Sequence, residues 1–250
     1  MAQDKELAIG GFAQGDLYNA SRPSYPEEAI DHFVRAFHLD ATSHVLDLGA
    51  GTGIFTRQLL AHVGRVVAVE PSASMRATFA QQTPGVTILD GSDESIPLAD
   101  HEVSAVFAAQ AFHWFDPTRA LPEIHRVLAP GGGLGLIWNE RDTTVEWIRD
   151  LNHAMLWDVH QPYDPSVDFG AIVAKGPFGD VRGTTFHHAQ WLTHEQVLQR
   201  TLTTSYITLM DEASRQRLSD AVLDVVARLP DPVQMPYATN VFVAFALESP

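Results

Sequence analysis

The sequence predicts an α/β protein built around a parallel β-sheet. Short apolar segments rich in β-forming residues recur at 44–48, 66–70, 86–89, 103–109 and 133–138, and helical patterns lie between several of them. Alternation of strands and helices is typical of a parallel sheet, because each crossover between parallel strands needs a helix-length connection. With 250 residues, 45% of them hydrophobic and 19% charged, the chain can bury the core of one large domain or of two small ones, and one domain is favoured.

A helix is predicted to precede the sheet. In the segment from Pro26 to about Phe37, the side chains of Ile30, Phe33, Val34 and Phe37 fall on one helical face. An apolar face of this kind needs another surface to pack against. We therefore expect the amino-terminal residues to form a helical cap on the sheet.

Helices are also predicted between the strands. One is expected at about 54–62, directly after a run of glycines, and the next at about 72–82, where Met75 and Phe79 are four residues apart on one face. Both helices follow an apolar segment of strand length. This order of elements predicts strand–turn–helix units at the start of the sheet.

The helix before the fifth strand contains two prolines that disagree about its start. Pro122 would break a helix that already runs from Pro117. The prediction therefore starts this helix near Leu121, with Pro122 in the first turn, and ends it at Pro130 and Gly131.

The carboxyl-terminal part is predicted to add two strands and two helices. A strand is expected at 184–191, followed by a helix for which Thr193 and Gln196 form a capping box. A second helix at about 211–229 and a buried strand at 237–247 complete the prediction. Neither of these late strands leads into a glycine-rich turn, so one nucleotide-type site is expected.

The glycine-rich turn is the strongest local signal in the sequence. The strand VLDL runs into Gly49, Gly51 and Gly53, after which a helix is predicted. Glycines allow positive φ and let backbone amides approach a ligand closely. Glu70 closes the second strand, where a carboxylate can accept hydrogen bonds from both hydroxyls of an adenosyl ribose.

Two kinds of adenosyl cofactor bind to glycine-rich turns of this general type. The nicotinamide fingerprint G-x-G-x-x-G/A requires Gly or Ala where this chain has Ile54. The observed G-x-G-x-G, with Asp47 two residues before Gly49, suits a cofactor with an amino-acid tail and no phosphate. An NAD(P)-dependent oxidoreductase remains the alternative from another class, and a tight turn without a ligand is the structural alternative.

Composition excludes several classes of function. A net charge of −15 repels phosphate, so a nucleic-acid substrate is disfavoured. The absence of cysteine excludes disulfides, thiolate zinc sites and cysteine nucleophiles. No signal-peptide or membrane-helix pattern is found, so a soluble cytoplasmic protein is expected. No metal site is expected: His187 and His188 would point to opposite faces of a strand, and no carboxylate joins His153 and His160 at ligand spacing.

The motifs together resemble class I S-adenosylmethionine-dependent methyltransferases. The resemblance is carried by VLDLGAGTG, by Glu70-Pro71 with Met75, and by RVLAPGGGLGL, and it is close over residues 44–138. The outer segments YNASRPSYP, AQAFHWFD and WNERD resemble the small-molecule branch that includes ubiquinone/menaquinone-type and trans-aconitate-type enzymes.

The resemblance implies a Rossmann-like fold and a division of the chain. The sheet would have seven strands, mostly parallel with an antiparallel last strand, and helices on both faces. A single methyltransferase domain, residues 1–250, would comprise the cap at 1–38, a cofactor-binding core at 39–142, and substrate-side helices and carboxyl-terminal strands at 143–250.

The resemblance also implies S-adenosyl-L-methionine as the cofactor and assigns residues to it. Gly49, Gly51 and Gly53 would pass under its methionine part and Glu70 would hold the ribose. The family often has Asp then Ala where this chain has Ser92 then Asp93, which leaves the adenine hydrogen bonds open. The remaining assignments are Asp47 near the amino group, Met75 at the adenine, Ser92, Asp93 and Glu94 at its amino edge, Gln110 at the sulfonium, and Tyr18 and Pro71 as further cofactor-binding residues. Arg22 could pair with the carboxylate of the cofactor, and an ordinary exposed arginine is the alternative.

The transfer site is expected after the fourth and fifth strands. His113 is the candidate general base there, and the alternative is that it packs beside Trp114. Phe112, Trp114 and Trp138 are expected to form a flat slot for an aromatic substrate, with core packing as the alternative. Weaker pocket candidates are Tyr25 and Tyr206.

We therefore expect methyl transfer to an O, N or C atom of a small-molecule metabolite, with a planar heteroaromatic compound as the first candidate. Carboxyl O-methylation of a small organic acid is the second candidate. A non-catalytic module that binds S-adenosylmethionine remains an alternative, because methyl transfer requires little acid–base machinery.

Overall fold

Strands and helices alternate along the chain in the order that the sequence predicts. The computed structural model describes residues 22–160 and 167–248, apart from the side chains of residues 158, 159 and 205. The strands are β1 (His44–Leu48), β2 (Arg65–Val69), β3 (Thr87–Leu89), β4 (Val103–Ala109), β5 (Leu128–Arg141), β6 (Arg182–Leu192) and β7 (Val233–Phe245). The helices are α1 (Glu27–Ala36), α2 (Ile54–Leu59), α3 (Ala73–Gln82), α4 (Pro117–Val127), α5 (Glu146–Ala154), α6 (Trp157–His160), α7 (Phe169–Val173), α8 (His194–Leu202), α9 (Ser205–Thr208) and α10 (Glu212–Val226).

The described strands form a seven-stranded sheet in the order β3-β2-β1-β4-β5-β7-β6. Strands β1 to β5 pair in parallel, and β1 lies between β2 and β4, so that Asp47 is opposite both Ala68 and Phe107. The mostly parallel sheet with antiparallel last strands confirms the predicted fold class. The strand order reverses between β1 and β4, and ligands of such sheets bind beyond the carboxyl ends of the strands at this reversal.

The described residues divide into two compact units. Of the described residues, the glycine-turn unit contains 24–139, 167–186 and 239–248, and the arginine unit contains 22–23, 140–160 and 187–238. The bounds of the units fall within β5, β6 and β7. The expectation of a single domain stays a prediction.

The glycine-turn unit is built around the predicted cap helix. Ile30 and Phe33 on α1 are fully buried, and Phe37 directly after it is nearly so. Glycines on β5 make room for this packing: a Cβ on Gly133 would lie 2.1 Å from the Phe37 ring, and one on Gly135 would lie 2.8 Å from the Phe33 ring. The apolar face read from the sequence is therefore the face that packs.

The predicted start of α4 is wrong. The helix begins at Pro117, because the Asp116 side chain accepts a hydrogen bond from the Thr118 amide at 3.0 Å and Pro117 occupies the first turn. Pro122 lies inside the helix, where it removes one backbone donor without ending the helix. The helix passes directly into β5 at Leu128, before the predicted stop at Pro130 and Gly131.

The arginine unit has its own apolar core between helices and strand residues. Its buried members include Ile148 and Leu151 of α5, Val197 of α8, and Val222 and Val226 of α10. The capping box predicted for α8 is present, with Thr193 and Gln196 exchanging side-chain-to-backbone hydrogen bonds. In the part of the chain that the structure describes, no helix combines the length and apolar character needed to cross a membrane.

Candidate active site

The three glycines after β1 form the turn that the sequence predicts. Their φ angles are +72° at Gly49, +56° at Gly51 and +83° at Gly53, in the region that other residues rarely adopt. A Cβ on Gly49 would lie 2.8 Å from Ala111, and one on Gly53 would lie 2.8 Å from Phe79. No atom lies within 4 Å of the position of a Cβ on Gly51. Gly49 and Gly53 thus permit packing, whereas Gly51 borders open space that a ligand can use.

Glu70 lies one residue beyond β2 and faces this turn. Its Oε2 accepts a hydrogen bond from the Gly51 amide at 3.0 Å, and its Oε1 accepts one from the Ser72 amide at 2.8 Å. Burial raises the pKa of the Glu70 carboxyl, and these amide donors oppose the rise. Each carboxylate oxygen can accept a second hydrogen bond, so this geometry fits a ligand with adjacent hydroxyls.

Asp47 is a buried carboxylate on β1 with one oxygen unsatisfied. Its Oδ2 accepts a hydrogen bond from the Thr56 hydroxyl, while its buried Oδ1 has no hydrogen-bond partner among the described residues. Burial raises the pKa of Asp47 to about 7, and the negative charge of Glu70 adds to the rise. A ligand ammonium would satisfy the orphaned oxygen. Thr56 was not predicted from the sequence, because no spacing rule relates its hydroxyl to Asp47.

The turn after β3 is held by contacts of its own. The Asp93 carboxylate accepts a hydrogen bond from the Asp116 amide at 3.1 Å, and Glu94 forms an ion pair with Arg119. The Ser92 hydroxyl accepts a hydrogen bond from the Glu94 amide at 3.3 Å. Asp93 thus links the turn after β3 to the segment after β4. The adenine contacts of these residues stay a prediction.

Residues around the start of α3 have distinct environments. Met75 is buried, and Pro71 is exposed. Arg76 donates to the backbone oxygens of Glu70 and Pro71, both at 2.8 Å. This arginine fixes the backbone directly after β2, and the contact of Met75 with adenine stays a prediction.

Gln110 ends β4 in a conformation that is unusual for its residue type. Its φ is +53°, and such backbone strain clusters at functional sites. The Gln110 amide donates to the Ile137 oxygen at 2.9 Å, and its Nε2 donates to the Asn139 oxygen at 2.9 Å. These bonds join the carboxyl ends of β4 and β5, and the Gln110 side chain is exposed there.

His113 lies in a single 3₁₀ turn, 112–114, just beyond β4. The residue is half-buried, and its Nδ1 accepts a hydrogen bond from Nε1 of Trp138 at 3.3 Å. Its ring is 4.9 Å from that of Trp114. Burial of the imidazole lowers the pKa of His113 to about 3. A base with such a low pKa is poorly matched to proton transfer at neutral pH.

The predicted aromatic slot is not open in the described residues. Phe112 and Trp138 are each 1% exposed, and Trp138 stacks on Phe169 with 4.4 Å between the ring centroids. Tyr25 is buried against Phe55, with 5.3 Å between centroids. Phe112 and Trp138 are packed as core, the alternative given for them, and Phe169 on α7 stacks on the Trp138 ring. Trp114 is half-buried.

Two predicted site residues belong to the arginine unit. Arg22 donates to the Thr203 oxygen at 3.3 Å, and the Tyr206 hydroxyl donates to the Met155 oxygen at 2.6 Å. Tyr18 lies outside the described residues.

One group of described side chains has ligand atoms close enough for a metal ion. It consists of Glu27, Asp31 and His62, whose candidate ligand atoms all lie within 4.8 Å of one another. Glu27 is exposed and already contacts His62 at 2.9 Å. Glu27 and Asp31 lie on α1 and His62 lies beyond the end of α2, so the group shares no residue with the glycine turn.

Known proteins share the segment of the chain that contains the glycine turn. Residues 46–136 match the family model described as a methyltransferase domain. An uncharacterized methyltransferase of Mycobacterium tuberculosis is 37% identical over 242 residues, which cover 95% of each chain.

Solved structures share the fold. A putative type II methyltransferase from Anaeromyxobacter dehalogenans superposes with a TM-score of 0.66 at 24% identity, covering 91% of this chain and 97% of that one. A Haemonchus contortus phosphoethanolamine N-methyltransferase 2, in complex with phosphomonomethylethanolamine and S-adenosylhomocysteine, gives a TM-score of 0.56 at 17% identity and covers 96% and 58% of the two chains.

The match of the mycobacterial relative extends through both units, well beyond the glycine turn and the strands around it. The resemblance given by the sequence motifs is thereby confirmed. On the combined evidence of motifs, fold and relatives, this chain belongs to the methyltransferase family.

Proposed function

We propose that the protein transfers the methyl group of S-adenosyl-L-methionine to a nucleophilic atom of a small molecule. The observation that carries the proposal is the pair of buried carboxylates beside the glycine turn. Asp47 has an oxygen without a hydrogen-bond partner among the described residues, and Glu70 faces Gly51, which borders open space. An ammonium and a pair of ribose hydroxyls complement these groups.

Bound S-adenosylmethionine supplies a methyl group that its positively charged sulfur already activates. The residues of the chain then have to bind, align and exclude water. Glu70 holds the ribose hydroxyls and ionised Asp47 holds the ammonium. Gln110, fixed by its bond to the Asn139 oxygen, shapes the end of β4 where transfer takes place.

His113 acts in this proposal as a positioning residue. Its buried ring accepts a hydrogen bond from Trp138, and a pKa of about 3 keeps the ring neutral at physiological pH. The neutral imidazole of His113 accepts this hydrogen bond and orients the Trp138 indole, and it removes no proton from a substrate. The nucleophilic atom of the substrate is therefore one that reacts without being deprotonated by His113.

The titration of four ligands tests the proposal. Calorimetry with S-adenosylmethionine, S-adenosylhomocysteine, NAD and NADP should show binding of the two adenosyl sulfur compounds and none of the nicotinamides. Tighter binding of NAD than of both sulfur compounds would contradict the proposal. Incubation with isotopically methyl-labelled cofactor and a metabolite extract, followed by mass spectrometry, should then reveal the labelled product.

A further inference from the structure

Arg76 on α3 joins three elements of the glycine-turn unit. One of its terminal nitrogens, Nη1, donates hydrogen bonds to the backbone oxygens of Glu70 and Pro71, both at 2.8 Å. The other, Nη2, forms an ion pair with the Asp90 carboxylate at 2.9 Å. Glu70 follows β2, and Asp90 follows β3. The guanidinium therefore ties the first turn of α3 to the carboxyl ends of two parallel strands.

The bond to Pro71 orients one of the amides that hold the Glu70 carboxylate. The Pro71 carbonyl and the Ser72 amide belong to one planar trans peptide, so they point in opposite directions. Arg76 binds the carbonyl, and the Ser72 N–H donates to Oε1 of Glu70 at 2.8 Å. Through this peptide plane, Arg76 influences the orientation of the Glu70 carboxylate.

The backbone that this guanidinium holds also carries the contacts to the glycine turn. The Val69 oxygen accepts hydrogen bonds from the amides of Gly49 at 2.8 Å and Ala50 at 3.2 Å. Oε2 of Glu70 accepts one from the Gly51 amide at 3.0 Å. Three successive amides of the turn are thus bonded to the end of β2. A displacement of this strand end would move the turn and the carboxylate together.

The charge of Arg76 favours the ionised form of Glu70. Glu70 is buried, and this burial raises the pKa of its carboxyl, whereas the positive charge of Arg76 lowers that pKa. An ionised carboxylate accepts stronger hydrogen bonds from hydroxyl groups than a neutral carboxyl does. The contacts and the charge of Arg76 therefore act in the same direction on the group that faces Gly51.

We propose that Arg76 is a positioning residue for the ribose of the cofactor, because it holds the Glu70 carboxylate in the orientation that accepts hydrogen bonds from the ribose hydroxyls. This inference rests on the proposed function, since the ribose is part of S-adenosylmethionine. It predicts an energetic coupling between Arg76 and the two hydroxyls. A general contribution of Arg76 to the fold would weaken every ligand of the site equally and would produce no such coupling.

A thermodynamic cycle measures this coupling. S-adenosylhomocysteine and its 2′,3′-dideoxy analogue, which lacks both ribose hydroxyls, are titrated by calorimetry against the wild type and Arg76→Met. Methionine keeps an unbranched stem but lacks the charge and the donors. The wild type should prefer the hydroxylated ligand by about tenfold or more, and Arg76→Met should reduce this preference by about fivefold or more. Equal weakening of both ligands, or unchanged binding, would overturn the inference.

Two further variants control for charge and for nonspecific effects. Arg76→Lys keeps a charged donor for the backbone oxygens, so its preference for the hydroxylated ligand should lie closer to that of the wild type than to that of Arg76→Met. An equally low preference in both variants would contradict the role of the charged donor. Arg35→Met makes the same change at an exposed position on α1 of the same unit and should leave both dissociation constants unchanged.

Circular dichroism establishes whether these variants fold. Arg76→Gln, which keeps a neutral donor on a shorter stem, replaces Arg76→Met in the cycle if the methionine variant does not fold. Its preference for the hydroxylated ligand should again be lower than that of Arg76→Lys. A wild-type preference in folded Arg76→Gln would count against the inference.

The amide resonances of the ligand-free protein separate this inference from the proposed function. An amide proton that donates to a carboxylate resonates downfield, so the Ser72 resonance should move upfield in Arg76→Met. If it moves and the wild type binds no S-adenosylhomocysteine, Arg76 orients Glu70, but the ribose assignment is wrong together with the proposed function. If the wild type binds this ligand while the Ser72 resonance and the ligand preference stay unchanged in Arg76→Met, the proposed function stands and this inference is wrong.

Discussion

The two units bury charges of opposite sign. Among the described residues of the glycine-turn unit the buried charged side chains are the carboxylates of Asp47, Glu70 and Asp93, and in the arginine unit it is the guanidinium of Arg200. Burial of a charged group is unfavourable unless a partner compensates it. In the proposed function, the buried carboxylates of Asp47 and Glu70 complement a ligand that carries an ammonium and hydroxyls.

The largest effect is expected when Asp47 becomes neutral. Asp47→Asn removes the charge that pairs with the ligand ammonium, and breaking a buried charge pair costs about 3–5 kcal/mol. Affinity for S-adenosylhomocysteine should therefore fall by about 100-fold or more in calorimetry. Asp100→Asn changes an exposed carboxylate of the same unit and should leave this affinity unchanged.

The same substitution should stabilise the ligand-free protein. The pKa of Asp47 is about 7 in the fold and 3.8 in the reference state, so the folded state binds the proton more tightly. Stability is therefore lost as the pH rises from the lower value to the higher, by up to about 4 kcal/mol. Asp47→Asn should raise the melting temperature most above pH 7 and progressively less toward pH 4. A less stable variant at pH 8 would contradict this account.

Glu70→Gln should have a smaller effect on binding. Glutamine retains one oxygen acceptor but lacks the negative charge to which the ribose hydroxyls would donate. The binding free energy should therefore weaken by about 1.5–3 kcal/mol, the range for hydrogen bonds to charged groups. Calorimetry with S-adenosylhomocysteine measures it. Because glutamine can accept from only one of the Gly51 and Ser72 amides, the variant should unfold at a somewhat lower temperature than the wild type, and circular dichroism should confirm that it folds. An unchanged dissociation constant would remove Glu70 from the site.

Two glycines with the same backbone strain separate the effect of strain from the effect of lost ligand space. Gly51 and Gly85 both have positive φ, and neither has an atom within 4 Å of the position of a Cβ. Alanine at either position should destabilise the fold by about 1 kcal/mol. Only Gly51→Ala should also weaken cofactor binding, by about tenfold or more, because its methyl group enters the ligand space. Equal loss of binding in both variants would point to strain alone.

The smallest effect is expected at His113. Because its pKa is about 3, His113→Gln, which can still accept from Trp138, should transfer methyl groups in single turnover at a rate within a few-fold of wild type. Protonation of His113 should not lower the wild-type rate between pH 5 and pH 8, at values about two units or more above this pKa. A loss of about 100-fold with unchanged cofactor affinity would instead make His113 the general base.

The geometry of the glycine turn was predictable because its parts are local in sequence. Gly49, Gly51 and Gly53 follow one strand, and Glu70 follows the next, so parallel pairing alone brings them together. The strand–helix order and the capping box of α8 were predictable for the same reason. The start of α4 was not, because the cap that Asp116 provides outweighs the disruption by Pro122.

The arginine unit was not predictable, because its charged residues come from distant segments. Arg22, Arg141 and Arg200 lie on a loop, a strand end and a helix, and no spacing rule relates them. The same holds for His113: its sequence position suggests a base of ordinary pKa, whereas the burial that lowers this pKa depends on three-dimensional packing. Phe112 and Trp138, which were expected to form an open slot, are likewise buried in the core.

Proton release on ligand binding is the most direct test of the proposed pairing between Asp47 and the ligand ammonium. At pH 6.5 a carboxyl group with a pKa of about 7 is protonated in about three quarters of the molecules. Pairing of Asp47 with the ligand ammonium requires the ionised form. Calorimetry of S-adenosylhomocysteine binding in buffers of different ionisation enthalpy should show release of about this fraction of a proton from the wild type and none from Asp47→Asn. Binding without proton release, or equal release from both proteins, would contradict the account.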